Sequence, residues 1–120
     1  MEKIKKKEPL EATIVKNITK AINAIPGHFV EKRHGSQFAQ AGNPDLTGIA
    51  SGGKRIEIEV KRPSRAVEHE DLTKPEHFRA YIKAGATDIQ AKRLHHWHQF
   101  GALTGVAHSV EEALEIIGQA

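Results

Sequence analysis

Asp45, Glu59 and Lys61 are the residues whose types and spacing could do chemistry. Two carboxylates can hold a hard divalent cation through oxygen. Such an ion supplies what breaking a phosphodiester requires: an activated water, neutralised charge at phosphorus and a stabilised leaving oxygen. An ammonium two residues beyond the second carboxylate could position the attacking water or steady the phosphate. Glu-x-Lys alone is common on solvated strands, so the weight rests on the whole arrangement. Gly42-Asn43-Pro44-Asp45-Leu46 leads into a glycine-turned connection and then Ile56-Glu57-Ile58-Glu59-Val60-Lys61.

Strands must position these groups. Asp45 to Ala50 and Lys54 to Lys61 flank Ser51-Gly52-Gly53, the kind of tight connection that joins antiparallel strands, so pairing can bring Asp45 and Glu59 together. Ile56, Ile58 and Val60 alternate with Glu57, Glu59 and Lys61, and a period of two sends the charged set to one face. Glu57 therefore competes with Glu59 as a ligand. The lysine two residues on favours Glu59 and leaves Glu57 beside the site or on the surface.

Around the hairpin, Leu10, Ile14, Val15, Ile18, Ala21, Ile22 and Ile25 recur at helical spacing and Pro26-Gly27 stops them, predicting a helix over roughly Pro9 to Ile25. Glu11 sits at the edge of that apolar stripe, where it can point inward over a sheet. His28 to Gly35 reads as a strand, 36–43 as a loop, Arg62 to Thr73 as an exposed loop and Lys74 to Lys83 as a short helix closed by Gly85. Thr87 with Gln90 has the form of a capping box opening a helix that buries Ala91, Leu94 and Trp97; Trp97 is read as core, not as a base-stacking platform. Val106 to His108 reads as a short strand. Ser109 with Glu112 forms a second box before a helix of Val110, Ala113, Leu114 and Ile117. The order, helix, three strands, one or two helices, strand, helix, predicts an α/β fold around a small mixed sheet.

Bulk properties narrow the function. At 120 residues the chain is the size of one domain, with 38% hydrophobic and 28% charged residues, enough for a packed core. There is no cysteine, which excludes disulfides, zinc–thiolate sites and a thiol nucleophile and fits a reducing cytoplasm. No stretch approaches a bilayer span, and residues 1–8 form a basic tail without the apolar run of a signal peptide, so no membrane role is expected. The net charge is only +3, yet Lys3, Lys5, Lys6 and Lys7 crowd one end and Lys54, Arg55, Lys61, Arg62 and Arg65 the middle. Clustered cations favour a phosphate backbone, making Lys54, Arg55, Arg62 and Arg65 candidate DNA contacts. His95 and His98 are at helical spacing, but neighbouring histidines on one helix are more often surface decoration than a zinc site.

On Pro44-Asp45, Glu59-Val60-Lys61, Gln90 at the head of a helix and the run Thr104 to Leu114, the chain resembles the VRR-NUC family of the PD-(D/E)XK nuclease superfamily. With the first helix included, the likeness spans most of the chain as one domain. It implies a restriction-endonuclease-like αβββαβ core, with metal bound by Asp45, Glu59 and the Val60 carbonyl and with Lys61 as the catalytic lysine. Glu11 matches a metal-proximal glutamate of the first helix, although Glu8 is one turn away. Gln90 matches an active-site glutamine, although its capping role is a sufficient explanation. The implied activity is a Mg²⁺- or Mn²⁺-dependent endonuclease acting on DNA, by analogy with standalone members a homodimer that cuts branched substrates such as four-way (Holliday) junctions. Small members suggest the cytoplasm of a bacterial or phage-infected cell. Two departures stand out: the span 62–88 is longer than the family's, and His108 precedes Ser109 where arginine is the family's preference. Other outcomes left open are a non-catalytic DNA-binding or assembly module, and a nuclease of this fold acting on plain duplex DNA or RNA.

Overall fold

The computed structural model describes residues 8–34, 41–67 and 72–119. The lysines of the basic tail, the expected turn at Gly35 and residues 36–40 of the expected loop lie outside the described residues. The element order is α1 (Glu11–Asn23), β1 (Phe29–Lys32), β2 (Leu46–Ile49), β3 (Arg55–Val60), a 3₁₀ turn (Pro63–Arg65), α2 (Glu76–Lys83), α3 (Asp88–Gln99), β4 (Leu103–Ala107) and α4 (Val110–Ile116). This is an α/β arrangement. The sheet runs β1-β2-β3-β4, antiparallel across the first two pairs and parallel between β3 and β4.

Local chemistry explains the elements. α1 places Ile14, Val15, Ile18 and Ile22 on one stripe, all buried, and the chain turns back after Pro26. Gly52 and Gly53 both have φ +93°, a left-handed conformation that glycine adopts without steric cost, and this closes β2 onto β3. Thr87 and Gln90 complete the predicted capping box in both directions. At α4 the box is only half formed: Ser109 accepts the Glu112 N–H, but the Glu112 carboxylate takes the His108 N–H and ring instead of closing on Ser109.

Two apolar layers enclose the sheet. On one face Ile56, Ile58 and Val60 of β3, Val30 and Leu46 meet Ile14, Val15, Ile18 and Ile22 of α1 and Ala113 and Ile117 beyond β4. Burying each such aliphatic side chain contributes about 1.5–3 kcal/mol. On the other face Phe78 and Tyr81 of α2, Ala91 and Leu94 of α3 and Val106 form a second cluster. Residues 68–71 of the expected exposed loop lie outside the described residues; α2, later in the long 62–88 segment, supplies core and packs inward, with the Tyr81 hydroxyl 2.6 Å from that of Thr104. Trp97 departs from its expected core position, being only partly buried with the Arg55 guanidinium 4.4 Å above its ring.

β3 is covered on both of its faces. Every residue from Ile56 to Val60 is buried, including Glu57 and Glu59, because α3 covers the face that alternation assigns to the carboxylates. A central strand covered on both sides has no solvated face, so each charge on it needs a partner.

Candidate metal centre

Register puts the site together. β2 pairs with β3 so that Leu46 lies opposite Ile58, and Arg33 N–H donates to the Asp45 carbonyl at 2.7 Å, extending the β1–β2 ladder by one step. Asp45 thus falls in the row of Glu59. Its Oδ2 accepts the Val60 N–H at 2.8 Å, which ties the carboxylate to β3. Glu11, in the first turn of α1, completes the group: one carboxylate oxygen from each of Glu11, Asp45 and Glu59 lies within 4.8 Å of the others. These residues could hold a metal ion, and each comes from a different element.

The electrostatics are lopsided. Glu59 is 2% exposed and its Oε2 has no hydrogen-bond partner among the described residues. Burial, then hydrogen bonding and repulsion from Asp45, push its carboxyl up to about 10; the Lys61 charge opposes the shift and Glu11 adds to it. Glu57 is also fully buried, yet Arg33 Nη2 reaches its Oε1 at 2.8 Å while Arg55 Nε at 3.2 Å and the Thr47 hydroxyl meet its Oε2. Glu57 therefore has its counter-charges, and Glu59 faces two further carboxylates with, among the described residues, only Lys61 to offset them. A cation answers that imbalance, and an all-carboxylate donor set suits a hard divalent one. The competition between Glu57 and Glu59 is thus decided by who is already paired. Of the two placements expected for Glu57, beside the site or on the surface, the surface one is corrected: Glu57 is fully buried and paired with Arg33 and Arg55.

Glu8 and Glu11 separate as well. Glu8 accepts from the Ser64 N–H and hydroxyl at 2.7 Å each and pairs with Arg62 at 3.0 Å, bonds that hold its carboxyl below the usual range. Glu11 is the one that joins the carboxylate group.

The remaining expected site residues divide between the carboxylate group and other tasks. The Gln90 carboxamide oxygen accepts the Thr87 N–H at 2.9 Å, so it serves the cap. Val60 contributes through its N–H to Asp45. The basic residues do not form one patch. Arg62 and Arg65 follow β3 at the carboxylate end, Arg62 paired with Glu8. Lys54 precedes β3, about 17 Å from Glu59 along an extended strand, and Arg55 turns its guanidinium to Glu57 and Trp97.

Other contacts were not readable in advance. Arg93 Nε reaches Asn43 Oδ1 at 3.2 Å, linking α3 to the residue two before Asp45. Gly42, at φ +81°, lies so close to Ile89 that a Cβ would meet it at 2.3 Å. His77 stacks between His95 and His98 with ring centroids 4.4 Å from each, and burial followed by those two neighbours lowers its affinity for a proton. His77 Nε2 meets His95 Nδ1 and the His98 ring is tilted against it, and among the described residues no three histidine nitrogens converge as the carboxylates do. Among the described residues no helix is long and apolar enough to cross a membrane. No family model, curated protein or solved structure matches the chain.

Proposed function

We propose that this chain is a divalent-metal-dependent nuclease, with Glu11, Asp45 and Glu59 holding Mg²⁺ or Mn²⁺ and Lys61 serving the reaction. The observation that carries the proposal is the buried Glu59 with an unpartnered oxygen beside two other carboxylates. Structural carboxylates in a sheet core are neutralised as Glu57 is, and a stable fold gains nothing from gathering three beside a single lysine. The Pro44-Asp45, Glu59-Val60-Lys61 pattern supports placing the fold in the PD-(D/E)XK superfamily, in the manner of a standalone VRR-NUC domain. The element order is compatible with its αβββαβ core, α2 and α4 being additions to it.

When bound, the ion would supply charge neutralisation at phosphorus and lower the pKa of a water. The chain's own residues do the rest. Asp45 is held by the Val60 amide, so its second oxygen is aimed without freedom to rotate away. Lys61, the next outward step on the strand, keeps its ammonium near Glu59, where it can orient water or meet a phosphate oxygen. Arg62 and Arg65 lie at the same end of β3 and can meet the nucleic-acid backbone, whereas Lys54 would reach it only if the duplex extends along the strand.

The proposed substrate is DNA, with four-way junctions first, cut by a homodimer whose two sites address two strands. The test is cleavage of labelled junction, flap and linear duplex with Mg²⁺ or Mn²⁺ by wild type, Asp45→Ala and Lys61→Ala, with mass measured in solution. Metal-dependent cutting that both substitutions abolish in folded protein supports the proposal, and the substrate ranking defines the type. Binding of DNA with no cutting of any substrate would make the chain a binding module.

A further inference from the structure

We infer that Arg33 is a positioning residue for the metal centre, acting through the Pro44–Asp45 backbone with Glu57 as its anchor. The inference rests on Asp45 being a metal ligand. Arg33 lies just beyond β1 and its guanidinium is mostly buried, at 21% exposure. Nη1 donates to the Pro44 carbonyl at 2.9 Å, Nη2 to Glu57 Oε1 at 2.8 Å, and its own N–H to the Asp45 carbonyl at 2.7 Å. One residue therefore holds both carbonyls that bracket the Asp45 N–Cα segment.

The need for such a clamp follows from the local chain. Asp45 precedes β2, tied to the β1 side only by the Arg33 N–H, after a glycine turn and a proline that contributes no N–H. Left to itself, that backbone would rotate and swing the carboxylate away from Glu59. The Val60 amide restrains one carboxylate oxygen, and Arg33 restrains the peptide behind it. Arg93 of α3 in turn holds Asn43, two residues before Asp45.

Glu57 makes the clamp rigid. It is fully buried, and Arg55 and Thr47 serve its Oε2, leaving Oε1 to Arg33. The planar fork of a guanidinium can satisfy a carboxylate and a carbonyl at fixed angles, which an ammonium cannot. This assigns work to Arg33 and Glu57 beyond cancelling charge: the buried pair fixes where Asp45 points.

Mn²⁺ binding, read by loss of the free-ion electron paramagnetic resonance signal, tests this on the intact chain without reference to cleavage. Arg33→Lys keeps a cation beside Glu57 but loses the fork. It should retain the fold and bind Mn²⁺ at least about ten-fold more weakly, as losses in the surroundings of a ligand do. The double variant Arg33→Met, Glu57→Met replaces the pair with apolar side chains. It should regain the thermal stability that Arg33→Met alone loses, yet remain weak toward Mn²⁺. Wild-type Mn²⁺ affinity in both folded variants, with binding lost in Glu59→Gln, would overturn the positioning role and leave the metal centre standing. Absence of Mn²⁺ binding by the wild type would overturn both.

Discussion

Metal binding should expel a proton from Glu59. In the metal-free protein burial and the neighbouring Asp45 push this carboxyl up to about 10, so near neutral pH Glu59 is protonated. A cation takes the carboxylate form, so the proton must leave. With an apo value about 10, roughly one proton per ion is released at about pH 7.5, and affinity climbs close to ten-fold per pH unit below the apo value. Titration calorimetry with Mn²⁺ in buffers of different ionisation enthalpy measures the number directly, as the slope of observed heat against buffer enthalpy. The same shift bears on stability. A raised folded value means the native state holds a proton the unfolded chain has lost between the ordinary 4.5 and about 10. Glu59 should therefore cost the metal-free fold about 1.4 kcal/mol per pH unit as pH rises through that window. Glu59→Gln removes that slope, so its melting temperature should exceed wild type by a margin that widens from pH 6 to pH 9 without metal. The reasoning is refuted if Mn²⁺ binds with no proton release across this range, or if Glu59→Gln melts in parallel with wild type.

Further consequences can be checked separately. Lys61→Ala should abolish cleavage while Mn²⁺ still binds, because the ammonium is no ligand; parallel binding and single-turnover assays separate the two. Ile18→Ala empties the centre of the larger core, where Ile18 is fully buried, and should cost about 2–5 kcal/mol in urea unfolding. His77, disfavoured as a cation by burial and by His95 and His98, stabilises the fold above the ordinary histidine value of 6.5 and loses that contribution as pH falls through its lower folded value. His77→Gln should flatten the decline in melting temperature below about pH 6.5.

Much of the fold was legible because its signals are local. The stripe from Ile14 to Ile22, the Ser51-Gly52-Gly53 turn and the Thr87–Gln90 box are each short-range patterns with one physical outcome, and each became the expected element. The Asp45, Glu59 and Lys61 spacing was legible for the same reason: an antiparallel hairpin of that length leaves little choice of row.

Polar partners were not legible, because they are set by distance in space. Nothing in Glu57 and Glu59 themselves distinguishes them; Arg33, 24 residues from Glu57 along the chain, does so by occupying one and leaving the other. Glu8 and Glu11 are one helical turn apart, and only the arrival of Ser64 and Arg62 beside Glu8 separates them. The middle cluster of basic residues dissolved because an extended strand carries Lys54 to the far end of the sheet and Arg55 is paired with Glu57. By itself the sequence determined the helices, the hairpin and the row that aligns Asp45 with Glu59, because periodicity and turn chemistry act over a few residues. Only the tertiary structure decided which carboxylate lacks a counter-charge, because burial and ion pairing depend on what packs above the strand.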